Sequence, residues 1–207
     1  MEKYILSENF IEVKETGKKL YQIVAVKNFS DVEKGELGGY VEGVQNLSQE
    51  GNCWIYDDAQ VYDDAQICEN GVVAGDVKIS GKARVHDDAI VSDNVELSDN
   101  VIISGKASIY DNAKLSGNAR VCDNVLVFDN AEVCGNVVLS GNAKIYGHVR
   151  LLGNVHVCDE AVVCDTAIIY DNVIVSHRAK VCGNAEISNR NICDEEVVNS
   201  SGENLSA

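Results

Sequence analysis

Every sixth residue from Ile55 to Ile187 is Ile, Val or Leu, at 23 positions without an exception. The residue four places beyond each, from Ala59 to Ala185, is Ala or Val at 21 of 22 positions and glycine at Gly71. No helix carries this pattern, because a period of 3.6 drifts out of register with six within a few turns. A strict six demands short extended segments joined by identical turns. Side chains alternate along such a segment, so the small residue and the aliphatic two places on point inward while their neighbours point outward. The Gly/Asp–Asn pair that recurs in phrases such as LSGNARVCDN (Leu115 to Asn124) supplies the corner. Gly and Asn accept the left-handed backbone that a tight turn requires. One six-residue side cannot enclose a core. Three sides close a triangular coil of 18, and stacked coils pair as parallel strands about 4.8 Å apart. Proline is absent, as an array that uses every backbone N–H in a ladder requires.

Composition narrows the function classes. The 207 residues carry 33 acidic against 17 basic side chains, a net charge of −16. That balance excludes binding of a phosphate backbone, which needs Lys and Arg to displace counterions. It leaves solubility, cation binding or mimicry of a polyanion. The start, MEKYILSENF, has neither a basic n-region nor an apolar h-region, and no run approaches 18 apolar residues, so the expected setting is cytoplasmic, without a secretory signal or membrane span. Six of the eight cysteines (Cys68, Cys122, Cys134, Cys158, Cys164, Cys182) share one slot of the repeat with Ser and Tyr. They read as small packing residues in a reducing compartment. Cys164 and Cys182 fall in adjacent coils, with Cα atoms about 5 Å apart and within disulfide range; free thiols are expected there.

The hexads from about residue 41 to 188 resemble the hexapeptide-repeat, left-handed parallel β-helix superfamily. The resemblance supplies the handedness and implies an all-β fold of about eight triangular coils. Val41 and Leu47 already stand six apart, and Leu47 to Ile55 is the same hexad with two residues inserted. Before it, YIL and FIEV, the turn KETGKK and the run LYQIVAVKNF read as strands, so residues 1–40 form a β-rich cap over the first coil's open edge. The polar stretch 189–207 is a tail expected to be partly disordered. The head of the chain, KLYQIVAVKNFSDVEKGELGGYVE with LSQEGNCWIYDDAQV, also resembles bacterial and phage β-helix proteins labelled acyltransferases on likeness alone.

Splitting the array by 18 separates three walls. On the second wall the residues before each core aliphatic run Gln60, Lys78, Glu96, Lys114, Glu132, Arg150, Ile168, Glu186, so opposite charges alternate up a solvated stack. On the first wall, Tyr110, Phe128 and Tyr146 form an aromatic ladder beside Leu126, on a surface that should be wet. Such a patch marks an interface, and the resemblance implies a parallel trimer packed through it; stiffening of the wall by stacking is the alternative. The third wall carries Arg84, His86, Arg120 and His156, the most basic surface of an acidic chain. These could hold a small anion in a groove between subunits. One corner stacks Asn100, Asn118, Asn136, Asn154 and Asn172 as an amide ladder; another stacks Asp93, Asp111 and Asp129, with Asp57 in the same column, where carboxylates repel unless solvated or bridged by a cation such as Ca²⁺.

Three readings of function remain. The resemblance implies an acyl-CoA-dependent acyltransferase with a histidine base at a subunit interface, and His86 or His156 would be that base. Against it, no loop interrupts the hexads from Ile55 to Ile187, and the four histidines (with His148 and His177) match no motif. His86 stands about four coils from His156, too far for one subunit to build a zinc site, and no metal set is expected. The favoured reading is a non-enzymatic, cofactor-free oligomeric scaffold. In the phage version it acts in the host cytoplasm, capturing a host protein or a nucleotide-like anion. A polyanion mimic is the third.

Overall fold

The computed structural model describes residues 2–199, which form 26 β-strands and no helix. Three strands build the cap. β1 (Tyr4–Glu12) and β2 (Lys19–Ala25) are antiparallel, with an irregularity between Leu6 and Phe10, and β3 (Leu37–Val41) pairs antiparallel with β2 on one side. On its other side β3 pairs parallel with Gln60–Val61, which joins cap to coil. From Trp54 onward each short strand pairs in parallel with the one 18 residues later, as in Ile90 with Ser108, Glu96 with Lys114 and Ile102 with Arg120. One wall is a continuous stack of nine strands, from Trp54–Ile55 to Val197–Val198. The chain is the all-β parallel helix that the six-residue period demands.

The first coil holds the expected two-residue insertion. Val41 pairs with Val61 and Leu47 with Ile67, both 20 apart, before the step settles to 18 at Ile55 and Val73. β3 crosses this coil at close range. A Cβ on Gly38 would stand 2.5 Å from the Ile55 carbonyl oxygen, and one on Gly39 would stand 2.5 Å from that of Ala59, so only glycine fits. Above them Trp54 is fully buried between the rings of Tyr4 and Phe29, at centroid distances of 6.2 and 5.4 Å. Lys3, also buried, reaches into the open end and donates its ammonium to the Cys53 carbonyl at 2.9 Å. Burial pushes its pKa down.

The core is the two inward columns. None of the 23 aliphatics from Ile55 to Ile187 is more than 4% exposed, and the small column beside them is equally closed. Each buried Val, Leu or Ile contributes about 1.5–3 kcal/mol relative to exposure.

The corners differ from the sequence expectation in one respect. Every sixth residue from Gly51 to Asn189 has positive φ, and it is the first member of the Gly/Asp–Asn pair, not the Asn, that turns left-handed. Aspartate fills this slot because its carboxylate is needed there. Asp57 accepts the N–H of Gly75 at 3.0 Å, Asp123 that of Gly141 at 2.8 Å and Asp165 that of Gly183 at 2.8 Å. The stacked Asp93, Asp111 and Asp129 follow the same rule: Asp93 accepts the Asp111 N–H, Asp111 that of Asp129, and Asp129 that of Gly147. At this corner the stacked carboxylates are each held by a backbone donor of the next coil. The Gly105 N–H holds the Asp87 carboxyl below the usual carboxylate range, and the His177 N–H does the same for Asp159. The following Asn residues form the amide ladder, with Asn100, Asn118, Asn136, Asn154 and Asn172 linked at 2.8–3.0 Å.

The expected free thiols at Cys164 and Cys182 are instead joined: the residues form a disulfide with Cα atoms 4.7 Å apart. The stacking of adjacent coils already delivers that separation, so the bond closes without moving the backbone. The stretch from residue 189 does not begin a tail. It makes a further coil that is one residue short, pairing Val175 with Ile192 and Val181 with Val198 at a step of 17, and both Ile192 and Val198 are fully buried. The expected disorder at residues 200–207 lies outside the described residues.

Two outcomes follow for stability. Cys182→Ser removes a cross-link closing 18 residues and should lower unfolding free energy by about 3 kcal/mol. Chemical denaturation of the wild type with excess reductant should show the same loss, and the variant should not respond to reductant. At the corners, a depressed carboxylate pKa stabilises the fold above its unfolded value near 3.8 and ceases to as pH falls through the folded value. Denaturation midpoints should therefore drop between about pH 5 and pH 3, and Asp159→Asn should flatten that drop.

Candidate functional site

The walls are equivalent in backbone and differ only in outward side chains, so any site lies where a column departs from its neighbours. The second wall is the charged one. Lys114 pairs with Glu96 at 3.2 Å and Arg150 with Glu132 at 3.1 Å, each one coil apart. Exposed pairs of this kind are worth well under about 1 kcal/mol each.

The first wall holds the aromatic ladder. Tyr110 and Phe128 stack with centroids 4.9 Å apart and planes 3° from parallel; Phe128 and Tyr146 stack at 5.0 Å and 7°. Their spacing is the coil spacing, so the backbone imposes the stack. Leu126 lies beside them, paired in register with Ser108 and Lys144, and is half-buried like the rings. The apolar strip continues below through Val72 and the 45%-exposed Ile90, and above through Val162 to the Cys164–Cys182 disulfide. Tyr56, in the same column but separated from the ladder by Ala74 and Ser92, donates its hydroxyl to Asp31 of the cap at 3.0 Å. Burial, then the carboxylates of Asp111 and Asp129, raise the Tyr110 phenol, which stays neutral and able to donate a hydrogen bond.

The third wall arranges Arg84, Ile102, Arg120, Val138 and His156 in register on successive coils. Arg84, Arg120 and His156 thus occupy alternate rungs, about 10 Å apart, and the two arginines are exposed. His86 and His156 are separated by about 19 Å along the stack and cannot act together within one chain. They differ in partners. His86 Nδ1 stands 3.3 Å from Asp87 Oδ2, whereas His156 Nε2 is within hydrogen-bond distance of the Ser140 hydroxyl at 3.3 Å. Ser140 was not singled out by the sequence reading. It lies 16 residues before His156, a step that brings the outward residue after one aliphatic against the outward residue before the aliphatic one coil on.

Three shallow depressions of 260, 240 and 330 Å³ lie against the cap, the second wall and the edge of the first wall. None is lined by Arg84, His86, Arg120, His156 or the ladder. Among the described residues no helix is long and apolar enough to cross a membrane.

No protein-family model matches the chain. Over 63 residues it is 46% identical to a protein named "Uncharacterized acetyltransferase YdcK" from Escherichia coli (strain K12); the match covers 28% of this chain and 19% of that protein. By its period, its pairing and its core, the chain is a parallel β-helix of hexapeptide repeats, with local similarity to a protein that carries an acetyltransferase name.

Proposed function

We propose that the chain is a non-enzymatic, oligomeric β-helix scaffold that associates through its first wall and binds a partner in the grooves this creates. The observation that carries the reading is the Tyr110–Phe128–Tyr146 stack with Leu126 beside it, on a wall that also carries Ile90 and Val162 beyond the polar rungs Ser108 and Lys144, in a chain of charge −16. An apolar strip running along several coils matches a second straight wall better than it matches a compact ligand. Three copies set side by side close all strips at once. The resulting grooves are where Arg84 and Arg120, too widely spaced to clamp a small ion in one chain, would meet a nucleotide-like anion or a host protein. In sedimentation at micromolar concentration the wild type should run as a trimer. Phe128→Ser, which leaves the core columns intact, should shift it to monomer by weakening association more than tenfold. A monomeric wild type, or an unshifted variant, contradicts the reading. Nucleotide binding measured by titration calorimetry should weaken in Arg120→Ala.

A second reading, acyl transfer from acyl-CoA, is favoured by one contact and one comparison. His156 Nε2 stands 3.3 Å from the Ser140 hydroxyl, slightly beyond the reach a general base needs toward an acceptor hydroxyl. The similar E. coli protein bears an acetyltransferase name. On this reading acetyl-CoA is turned over in the presence of an acceptor alcohol or amine, and His156→Ala abolishes turnover while His86→Ala does not. Absence of turnover across a broad acceptor panel leaves the scaffold reading alone.

A further inference from the structure

The third wall opens with two corners unlike the rest. Cys68 and Glu69 end one rung, and His86 and Asp87 end the next, held in register by the pairing of Ile67 with Val85. The coil step therefore sets a cysteine against a histidine and a glutamate against an aspartate. Glu69, His86 and Asp87 each place a ligand atom within 4.8 Å of the other two. Among the described residues only one other such group exists, Cys164, Asp165 and Cys182, and its two sulfurs are joined to each other.

Each carboxylate at this corner has one oxygen engaged and one available. Glu69 Oε2 accepts the Asp87 N–H at 2.9 Å, and Asp87 Oδ2 accepts the Gly105 N–H at 2.8 Å. These bonds fix both groups from the backbone side, beside a half-buried imidazole whose Nδ1 stands 3.3 Å from Asp87 Oδ2. Bonds of about 2.0–2.2 Å to an ion require donors about 3–4 Å apart. The side chains must close by about 1 Å, which exposed rotamers allow.

We propose that Glu69, His86 and Asp87 bind a borderline divalent transition-metal ion of the zinc and cobalt class, with water completing the shell. The imidazole nitrogen beside two carboxylates decides the class: calcium takes six to eight oxygens, and magnesium keeps its waters. Arg84, two residues from His86 and facing the same wall, is the one basic side chain directly beside the site in sequence, and it offsets part of the two carboxylate charges.

The test is titration of the full chain with Co²⁺, followed by calorimetry and absorption, with Ca²⁺ as the comparison ion. The expected result is one Co²⁺ per chain with visible-range bands of a low-coordinate cobalt. His86→Ala should weaken binding more than about tenfold. All three side chains lie outside the core columns, so the variant folds. No Co²⁺ binding, binding unchanged in His86→Ala, or equal affinity for Ca²⁺ overturns the proposal.

Discussion

Everything in this molecule depends on a hydrogen bond that skips a coil: the N–H of one residue donates to the carbonyl 17 places later, as Tyr56 does to Val73 and Phe128 to Ile145. Because the bond repeats on all three walls, side chains are locked into columns with a step of about 4.8 Å. A parallel ladder of two-residue strands is weak by itself. It is held by corners, where a left-handed residue turns the chain and the carboxylate of the previous coil receives its N–H. Twelve acidic residues occupy such left-handed positions between Asp57 and Asp171, out of 33 in the chain. A large part of the acidity is thus a requirement of the fold. Eleven of these twelve carboxylates accept a backbone N–H of the next coil, so the fold itself accounts for them.

The columns also explain why function is hard to see in any single phrase. In the stretch from Leu115 to Asn124, Leu115 and Val121 are core, Asn118 is a rung of the amide ladder, and Asp123 binds the Gly141 N–H. Only Arg120 faces solvent with a charge that no other element of the repeat needs. Chemistry that requires convergence of three or four groups can arise here in two ways: from adjacent coils at one corner, or from facing walls of different subunits. The proposed metal corner uses the first and the proposed oligomer the second.

Much of the architecture was legible from residue period alone, because strict sixes at Ile55 through Ile187 fix strand, corner and register together. The two-residue insertion before Ile55 was equally plain. What period could not supply was the conformation inside the corner: Asp and Asn both tolerate left-handed backbone, and only the N–H of the next coil selects Asp for the first place. The closing coil from Ile192 was hidden because one deleted residue breaks the sixes after Ile187. The Cys164–Cys182 spacing was readable, but the bond itself depends on redox chemistry that a sequence does not state. At the third wall, the basic column of Arg84, Arg120 and His156 was visible at a step of 18, whereas Ser140 reaches His156 across a step of 16 that no column search inspects.

The account turns on whether the first wall closes against other copies of the chain. The most direct measurement is a native mass spectrum of protein purified from cells, recorded without added ligand. A trimer should dominate, with extra mass if the grooves retain an anionic small molecule. A spectrum containing only the single chain would contradict the account, leaving the aromatic ladder as a stiffener of its own wall.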